Sequence, residues 1–251
     1  MTETVVHKFT ASDGAELAWH ELGEGRPVVL LHGLFSNAQT NWVKFGHAAE
    51  IAGRRFRVIM PDLRAHGESA APHAPESYPP DVLVRDARTL IGHLGLEEFD
   101  LGGFSLGART AAAMMIGGVR PRKAVLAGMG LEGLSDWDRR RDFFTVAIDR
   151  RDEVSHGDPH WLAIQFMKTM KIDPEAARLL LASPADFDPA RLSEIDAPAL
   201  VVCGSEDRDN GSAEALAAAI PGAVFAEVPG THMSSVTKPE LGKAIADFLE
   251  T

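Results

Sequence analysis

Short apolar runs recur along most of this chain, and most of them are followed by a segment with the pattern of a helix. The runs are apolar on both faces, which is typical of strands buried inside a parallel sheet. They cover residues 28–31, 56–60, 99–102, 123–127, 199–203 and 223–228, with helical patterns at 42–52, 79–95, 106–117, 212–219 and 238–249. This alternation predicts an α/β fold with a mostly parallel central β-sheet flanked by helices. A hairpin that turns at Asp13-Gly14 adds an antiparallel pair at one edge.

One long stretch departs from the alternation. Between about residues 130 and 198 no convincing strand is found, but helical patches occur at 136–149, 159–170 and 174–181. We therefore expect residues 1–130 and 199–251 to form the core and residues 131–198 to form a small helical cap. Ligands of open α/β sheets bind at the carboxyl ends of the strands, and we expect the cap to cover that edge.

Composition narrows the classes of partner. The net charge of −11 argues against nucleic acid and anionic membranes as partners, since both call for a basic face. Arginines 139–141 are interleaved with aspartates, which favours a solvated helix face. The single cysteine, Cys203, excludes an intramolecular disulfide, and neither a secretory signal nor a membrane-spanning stretch is visible. We expect a cytoplasmic protein without membrane insertion, and its oligomeric state is left open.

The strongest chemical signal is G-F-S-L-G at residues 103–107, between a predicted strand and a predicted helix. That context is the one a nucleophile elbow requires, with Ser105 as the nucleophile. The turn is so tight that the side chains two before and two after the serine must be minimal, which explains the glycines there. The serine hydroxyl is then held at a helix N-terminus, where developing negative charge is favoured.

A serine nucleophile needs a base and an orienting acid. Of ten histidines, only His232 follows the last predicted strand, and Asp207 follows the strand before it. The order serine, aspartate, histidine is that of α/β-hydrolases. Glu206, Asp209 and Glu132 are alternative positions for the acid, and a single loop histidine is commonly just a surface residue.

The oxyanion of an acyl-transfer intermediate needs two backbone donors. Leu106 follows the nucleophile and supplies one N–H group, and Leu34, in the H-G-L-F loop at residues 32–35, is our candidate for the other. We interpret His32 itself as a turn residue that hydrogen-bonds to the backbone, because the chemistry needs the loop's N–H groups and not the imidazole.

The chain resembles the α/β-hydrolase superfamily, specifically its lipase, esterase and haloperoxidase-like branch of serine hydrolases. Besides the elbow, the segment P-D-L-R-A-H-G-E-S at 61–69 resembles the family turn D-x-R-G-H-G-x-S, with Ala65 in place of glycine. The loops that carry Asp207 and His232 also match. The resemblance implies no cofactor, and no metal-ligand spacing stands out in the sequence.

Apolar side chains are expected around the site. Helical aromatic residues more often pack than touch ligands, but the underside of a cap must be apolar. The expected walls of a substrate pocket are Phe35, Phe104, Trp137, Phe144, Trp161 and Met233. Arg109, one helical turn after Ser105, is either an anchor for a substrate carboxylate or part of a structural ion pair.

These residues favour a serine hydrolase that cleaves a small-to-medium, apolar carboxylic ester through an acyl-enzyme. Hydrolysis of a C–C bond in a diketone or of a thioester uses the same machinery, as does perhydrolysis, and the fold does not decide among them. A small-molecule-binding protein without catalysis is the alternative from another class. Haloalkane dehalogenation is disfavoured because the elbow carries serine where that chemistry uses aspartate. Hydroxynitrile lyase activity is compatible with the same motifs, but no further feature of the sequence supports it.

Overall fold

The computed structural model describes residues 4–185 and 187–251, in which eight strands form one sheet. The strands are β1 (Val5–Thr10), β2 (Glu16–Leu22), β3 (Arg26–Leu31), β4 (Phe56–Pro61), β5 (Asp100–Phe104), β6 (Ala124–Ala127), β7 (Ala199–Gly204) and β8 (Val224–Val228). Their order across the sheet is β1-β2-β4-β3-β5-β6-β7-β8. From β4 to β8 every neighbouring pair is parallel, and β1 and β2 form the antiparallel edge. The predicted fold class is confirmed.

Helices cover both faces of the sheet. They are α1 (His47–Ala52), α2 (Val82–His93), α3 (Leu106–Ile116), α4 (Leu131–Ser135), α5 (Trp137–Asp149), α6 (Trp161–Thr169), α7 (Pro174–Leu181), α8 (Ala213–Ala219), α9 (His232–Ser235) and α10 (Pro239–Glu250). Successive strand residues point to opposite faces, so Val28 packs in one apolar cluster with α1 and α10 while Val29 packs in the other with α2, α3 and α8. In the described part of the chain, no helix is long and apolar enough to span a membrane.

The helix predicted over residues 42–52 was only partly correct. A π-helical turn occupies Gln39–Val43, and α1 begins only at His47. Gly46 separates the two with φ of +87°, a left-handed conformation that interrupts a right-handed helix. The buried ring of Trp42, with no exposed surface, anchors the π-helical turn against the core.

The segment between β6 and β7 is helical where patches were predicted, and its described residues contain no strand. Three of its helices, α5, α6 and α7, coincide with those patches, and a short fourth, α4, precedes them. The α5 helix packs against α6 and α7. It also sends Trp137 into the interior, where the indole Nε1–H donates to the Leu181 carbonyl at 3.1 Å.

The crossing of α3 over the sheet is unusually close. A Cβ atom added at Gly107 would lie 2.2 Å from the Leu31 carbonyl oxygen in β3. One added at Gly103 would lie 2.3 Å from the carbonyl carbon of Gly107. These are backbone atoms that a side chain cannot push aside, so the predicted need for glycine at both positions is confirmed.

We predict that Gly107→Ala destabilises the protein by about 3 kcal/mol or more, since the new methyl group must separate α3 from β3. Urea unfolding followed by tryptophan fluorescence measures the change. The matched control is Gly92→Ala in the exposed face of α2, where an added Cβ meets no atom within 4 Å. This control should be neutral or stabilising by about 0.5–1 kcal/mol, because alanine favours a helix. Equal stability of the two variants would contradict the packing argument.

Candidate active site

Three polar side chains meet at the carboxyl edge of the sheet. Ser105 directly follows β5, Asp207 lies in the turn after β7, and His232 begins α9 after β8. The Ser105 Oγ lies 3.1 Å from Nε2 of His232, and Nδ1 of His232 lies 2.8 Å from Oδ2 of Asp207. All three residues are buried. This series of hydrogen bonds links a hydroxyl, an imidazole and a carboxylate, which is the arrangement that activates a serine for nucleophilic attack.

The backbone of Ser105 has φ of 53° and ψ of −114°, outside the regions that non-glycine residues ordinarily occupy. The turn is fixed from both sides. The Ser105 N–H donates to the Ala127 carbonyl at 2.8 Å. The Ser105 carbonyl accepts a hydrogen bond from the Arg109 N–H at 3.0 Å, in the first turn of α3. This strained turn places the hydroxyl at the start of α3, clear of the sheet.

His232 is the first residue of α9, a single helical turn. Thr231 and Ser234 close the start of this turn with a capping box in which each side chain bonds to the other's backbone N–H. The imidazole also packs on the Phe104 ring, with ring centroids 5.0 Å apart. The histidine is therefore positioned by backbone capping and by an aromatic neighbour as well as by Asp207.

Asp207 stays ionised although it is buried. Burial alone raises the pKa of this carboxyl. The pKa is nevertheless below its usual value, because the carboxylate is stabilised by the hydrogen bond and charge of His232, by the Asp209 N–H at 3.0 Å and by the Cys203 thiol. Cys203 donates its S–H to Asp207 at 3.4 Å, and burial beside that carboxylate raises the pKa of the thiol to about 12. The protonated thiol is thus a hydrogen-bond donor that helps to hold the acid.

The alternative acids make other contacts or are exposed. Glu132 accepts the Ser212 N–H at 2.8 Å, and Glu206 and Asp209 are exposed. Asp207 is the acid that is hydrogen-bonded to His232.

Leu34 and Leu106 line the same small cavity as Ser105. Leu106 is the first residue of α3, whose N–H has no acceptor within the helix. Leu34 lies in the loop after β3, where Gly33 N–H donates to Asn41 Oδ1 at 2.9 Å and Phe35 N–H to His66 Nε2 at 3.0 Å. Within residues 4–185 and 187–251 the Leu34 N–H meets no acceptor, so it is available to a ligand.

Two uncharged histidines brace this loop. His66 accepts the Phe35 N–H through Nε2 and meets the Arg64 carbonyl through Nδ1, at 2.9 Å. His32 accepts the Leu63 N–H at 2.9 Å, and its other ring nitrogen meets the Gly33 carbonyl. Burial lowers the pKa of both, that of His66 to about 3, aided by His32 nearby. The interpretation of His32 as a turn residue is confirmed, while the supporting roles of His66 and Asn41 went unrecognised in the sequence.

The cavity at Ser105 is small, about 10 Å³, which is room for roughly one water molecule. Among the expected wall residues, Trp137 and Phe144 line it. Phe35 lies behind Phe144, with ring centroids 5.4 Å apart, and Phe104 lies against His232. Trp161 and Met233 do not line this cavity: the Trp161 ring packs against His156, and Met233 is 51% exposed.

The arginines of α5 differ from the solvated face that the sequence suggested. Arg139 and Arg141 are paired with Asp136 and Asp138 at 2.8 and 2.7 Å. Arg140 instead turns inward and lines the cavity beside Ser105. Three consecutive residues on a helix point in three directions about 100° apart, so one of them faces the interior.

Arg109 also lines the cavity but is held by its surroundings. Its Nη2 donates to the Ala185 carbonyl at 2.8 Å, and its guanidinium lies 5.0 Å from the centroid of Trp137 and 5.9 Å from that of Phe187. These contacts favour the structural interpretation of this arginine.

One set of potential metal ligands lies at the site. Asp207, Asp209 and His232 bring ligand atoms within 4.8 Å of one another. However, Asp207 and His232 are bonded to each other, and Asp207 also accepts the Asp209 N–H. Two of the three groups are therefore already engaged with each other.

A larger cavity, about 550 Å³, is separate from this site. It lies between the turn at Asp62–Ser69 and the end of α6 near Met170, and Ser105 and His232 do not line it.

The sheet order, with a serine, an acid and a histidine on the turns after β5, β7 and β8, defines an α/β-hydrolase. The model of the alpha/beta hydrolase family matches residues 28–241, and the chain belongs to that family.

Three similar proteins illustrate its range. A non-heme haloperoxidase from Rhodococcus erythropolis is 35% identical over 123 residues, which are 47% of this chain and only 42% of that protein. A 2-hydroxy-6-oxononadienedioate/2-hydroxy-6-oxononatrienedioate hydrolase from Paraburkholderia phymatum is 30% identical over 83% of this chain and 84% of its own. A thermophilic esterase from Thermogutta terrifontis, solved with malate bound, superposes with a TM-score of 0.76 at 28% identity, covering 98% of both chains.

We predict that the loop-bracing role of His66 makes stability depend on pH. Its folded-state pKa of about 3 lies below the ordinary value of 6.5, so between these values the unfolded chain binds the extra proton. Stability is therefore lost as the pH falls below about 6.5, at up to about 1.4 kcal/mol per pH unit for this group.

His66→Gln tests this, because glutamine retains an acceptor near Nε2 but does not titrate. The free energy of unfolding, measured in urea from pH 7 to pH 4, should fall less steeply for the variant than for the unmodified protein. Parallel curves would contradict the assignment.

Proposed function

We propose that this protein is a serine hydrolase that cleaves a small carboxylic ester through an acyl-enzyme, with Ser105 as nucleophile. The observation that carries the proposal is the continuous hydrogen-bonded chain Ser105–His232–Asp207, ending at a cavity lined by Leu34 and Leu106. The membership in the α/β hydrolase family and the likeness to the Thermogutta esterase support it.

In the first half of the reaction, Nε2 of His232 accepts the proton of the Ser105 hydroxyl as Oγ attacks the ester carbonyl carbon. The oxyanion that forms accepts hydrogen bonds from the backbone N–H groups of Leu34 and Leu106. Asp207 stabilises the imidazolium and keeps its orientation. The tetrahedral intermediate then expels the alkoxide, which takes the proton from His232 and leaves as an alcohol.

In the second half, water replaces the alcohol. His232 accepts a proton from that water as its oxygen attacks the acyl carbon, and returns the proton to Ser105 as the carboxylic acid departs. The small cavity of about 10 Å³ indicates that cap side chains must move apart when the substrate enters, and it favours a short acyl group.

Hydrolysis of a C–C bond next to a ketone is the second candidate. It is favoured by one observation, the 30% identity to the Paraburkholderia phymatum dioate hydrolase over 83% of this chain. The triad performs the same proton transfers, but the leaving group is a carbanion that must be protonated. Loss of the dienol absorbance of a 2-hydroxy-6-oxo-dienoate would identify this activity, and its absence alongside ester hydrolysis would remove the candidate.

We predict that p-nitrophenyl esters of short acyl length are hydrolysed and that Ser105→Ala lowers kcat by at least about 10³-fold. Asp207→Asn should lower it by about 10⁴-fold, because the amide favours the wrong imidazole tautomer. Release of p-nitrophenolate measures both, with the exposed Ser193→Ala as the control that keeps full activity.

Covalent labelling separates the nucleophile from the substrate. A fluorophosphonate should modify Ser105, as located by peptide mass spectrometry, and should leave the Ser105→Ala protein unmodified. Ester hydrolysis that survives in Ser105→Ala would overturn the assignment of the nucleophile.

A further inference from the structure

A positive charge lines the cavity at Ser105. Arg140 shares that cavity with Ser105, Leu34 and Leu106. Arg109, which is held by the Ala185 carbonyl, and Asn210 also line the cavity, and the remaining large lining residues are apolar: Met129, Trp137 and Phe144. A guanidinium in such surroundings is partly desolvated, which costs free energy unless a partner of opposite charge is bound.

The side chain is held in place without an ion pair. Its guanidinium lies 5.1 Å from the ring centroid of Phe144, one helical turn further along α5, and its Nη1 donates to the Asp209 carbonyl at 3.2 Å. Phe144 is itself fixed edge-on against Phe35. In the described parts of the chain no carboxylate forms an ion pair with Arg140, in contrast to the paired Arg139 and Arg141 on either side.

The chemistry of the group indicates its ligand. A guanidinium carries five N–H donors in a planar fork, and the Asp209 carbonyl takes one of them. Burial lowers the pKa of Arg140, opposed by the charges of Asp209 and Asp207, yet arginine stays protonated at neutral pH. A neutral apolar group in the cavity would strip water from the remaining donors without replacing its hydrogen bonds. A carboxylate matches both the charge and the fork.

We propose that Arg140 is a specificity-determining residue that binds a carboxylate of the substrate, so that this enzyme acts on anionic esters. The inference rests on the proposed function of the Ser105 site, and it replaces the sequence-based expectation of an apolar acyl group. The carboxylate is carried by either the acyl half or the alcohol half of the ester, and the two arms of the experiment distinguish these.

The experiment uses matched pairs of unactivated esters in a pH-stat. The acyl arm compares monomethyl succinate with methyl butyrate, and the alcohol arm compares butyryloxyacetate with propyl butyrate. The unmodified protein should prefer the charged member of one pair by about tenfold or more in kcat/KM. Arg140→Gln should reduce that ratio by about 10- to 100-fold, and Arg140→Lys should retain an intermediate ratio because it keeps the charge but loses the fork.

Arg139→Gln is the matched control, since it removes an arginine from the same helix that is 61% exposed and already paired with Asp136. It should leave the ratio unchanged. Thermal unfolding of each variant confirms that it is folded. No preference for the charged member in either pair, or a ratio that Arg140→Gln does not alter, would overturn the proposal.

A binding measurement separates this proposal from the proposed function. The Ser105→Ala protein should bind the favoured charged ester more tightly than its neutral partner by calorimetry, and the added change Arg140→Gln should abolish the difference. Binding that depends on Arg140 without any ester hydrolysis in the unmodified protein would uphold the carboxylate site and refute the esterase. Ester hydrolysis without such binding would do the reverse.

Discussion

The contact between the start of α3 and the middle of the sheet sets the position of everything at the site. Gly107 lies against the Leu31 carbonyl so closely that no side chain fits between them. That approach brings the helix N-terminus to the carboxyl edge of β5, where the backbone turns through Ser105. The Leu106 N–H and the loop after β3 are thereby brought to one small cavity. A longer distance between helix and sheet would separate Ser105 from the loop after β3.

The loop after β3 depends on a second constraint, which is the pairing of its backbone N–H groups with buried side chains. Asn41 and His66 take up the N–H groups of Gly33 and Phe35, and the residue between these two, Leu34, lines the cavity. Asp62 accepts the Ala38 N–H at 2.8 Å and the Glu68 N–H at 2.9 Å, and so ties this loop to the turn after β4. The rings of His32 and His66 suit this buried position because a neutral imidazole accepts one hydrogen bond and donates another without carrying a charge that must be neutralised.

The fold and the meeting of Ser105, Asp207 and His232 at one edge could be predicted because both depend on local patterns and on topology. Parallel strands end at one edge, so residues placed just after β5, β7 and β8 meet there regardless of details. The direction of a side chain on a cap helix is different. Which of three consecutive arginines turns inward depends on how α5 is rotated against its neighbours, and the alternation with aspartates disguised Arg140. Likewise, the break at Gly46 depends on a backbone conformation that glycine permits but does not require.

The unusual backbone of Ser105 has a consequence for the unfolding of the molecule. A non-glycine residue with φ of 53° and ψ of −114° persists only because the close-packed surroundings of α3 impose it. Any loosening of that packing lets the turn relax toward an ordinary conformation, and the hydroxyl then moves out of line with the imidazole. Helices and strands survive such loosening, since their hydrogen bonds are internal. The alignment of the serine therefore depends on tertiary packing, and we expect it to be more sensitive to denaturant than the secondary structure is.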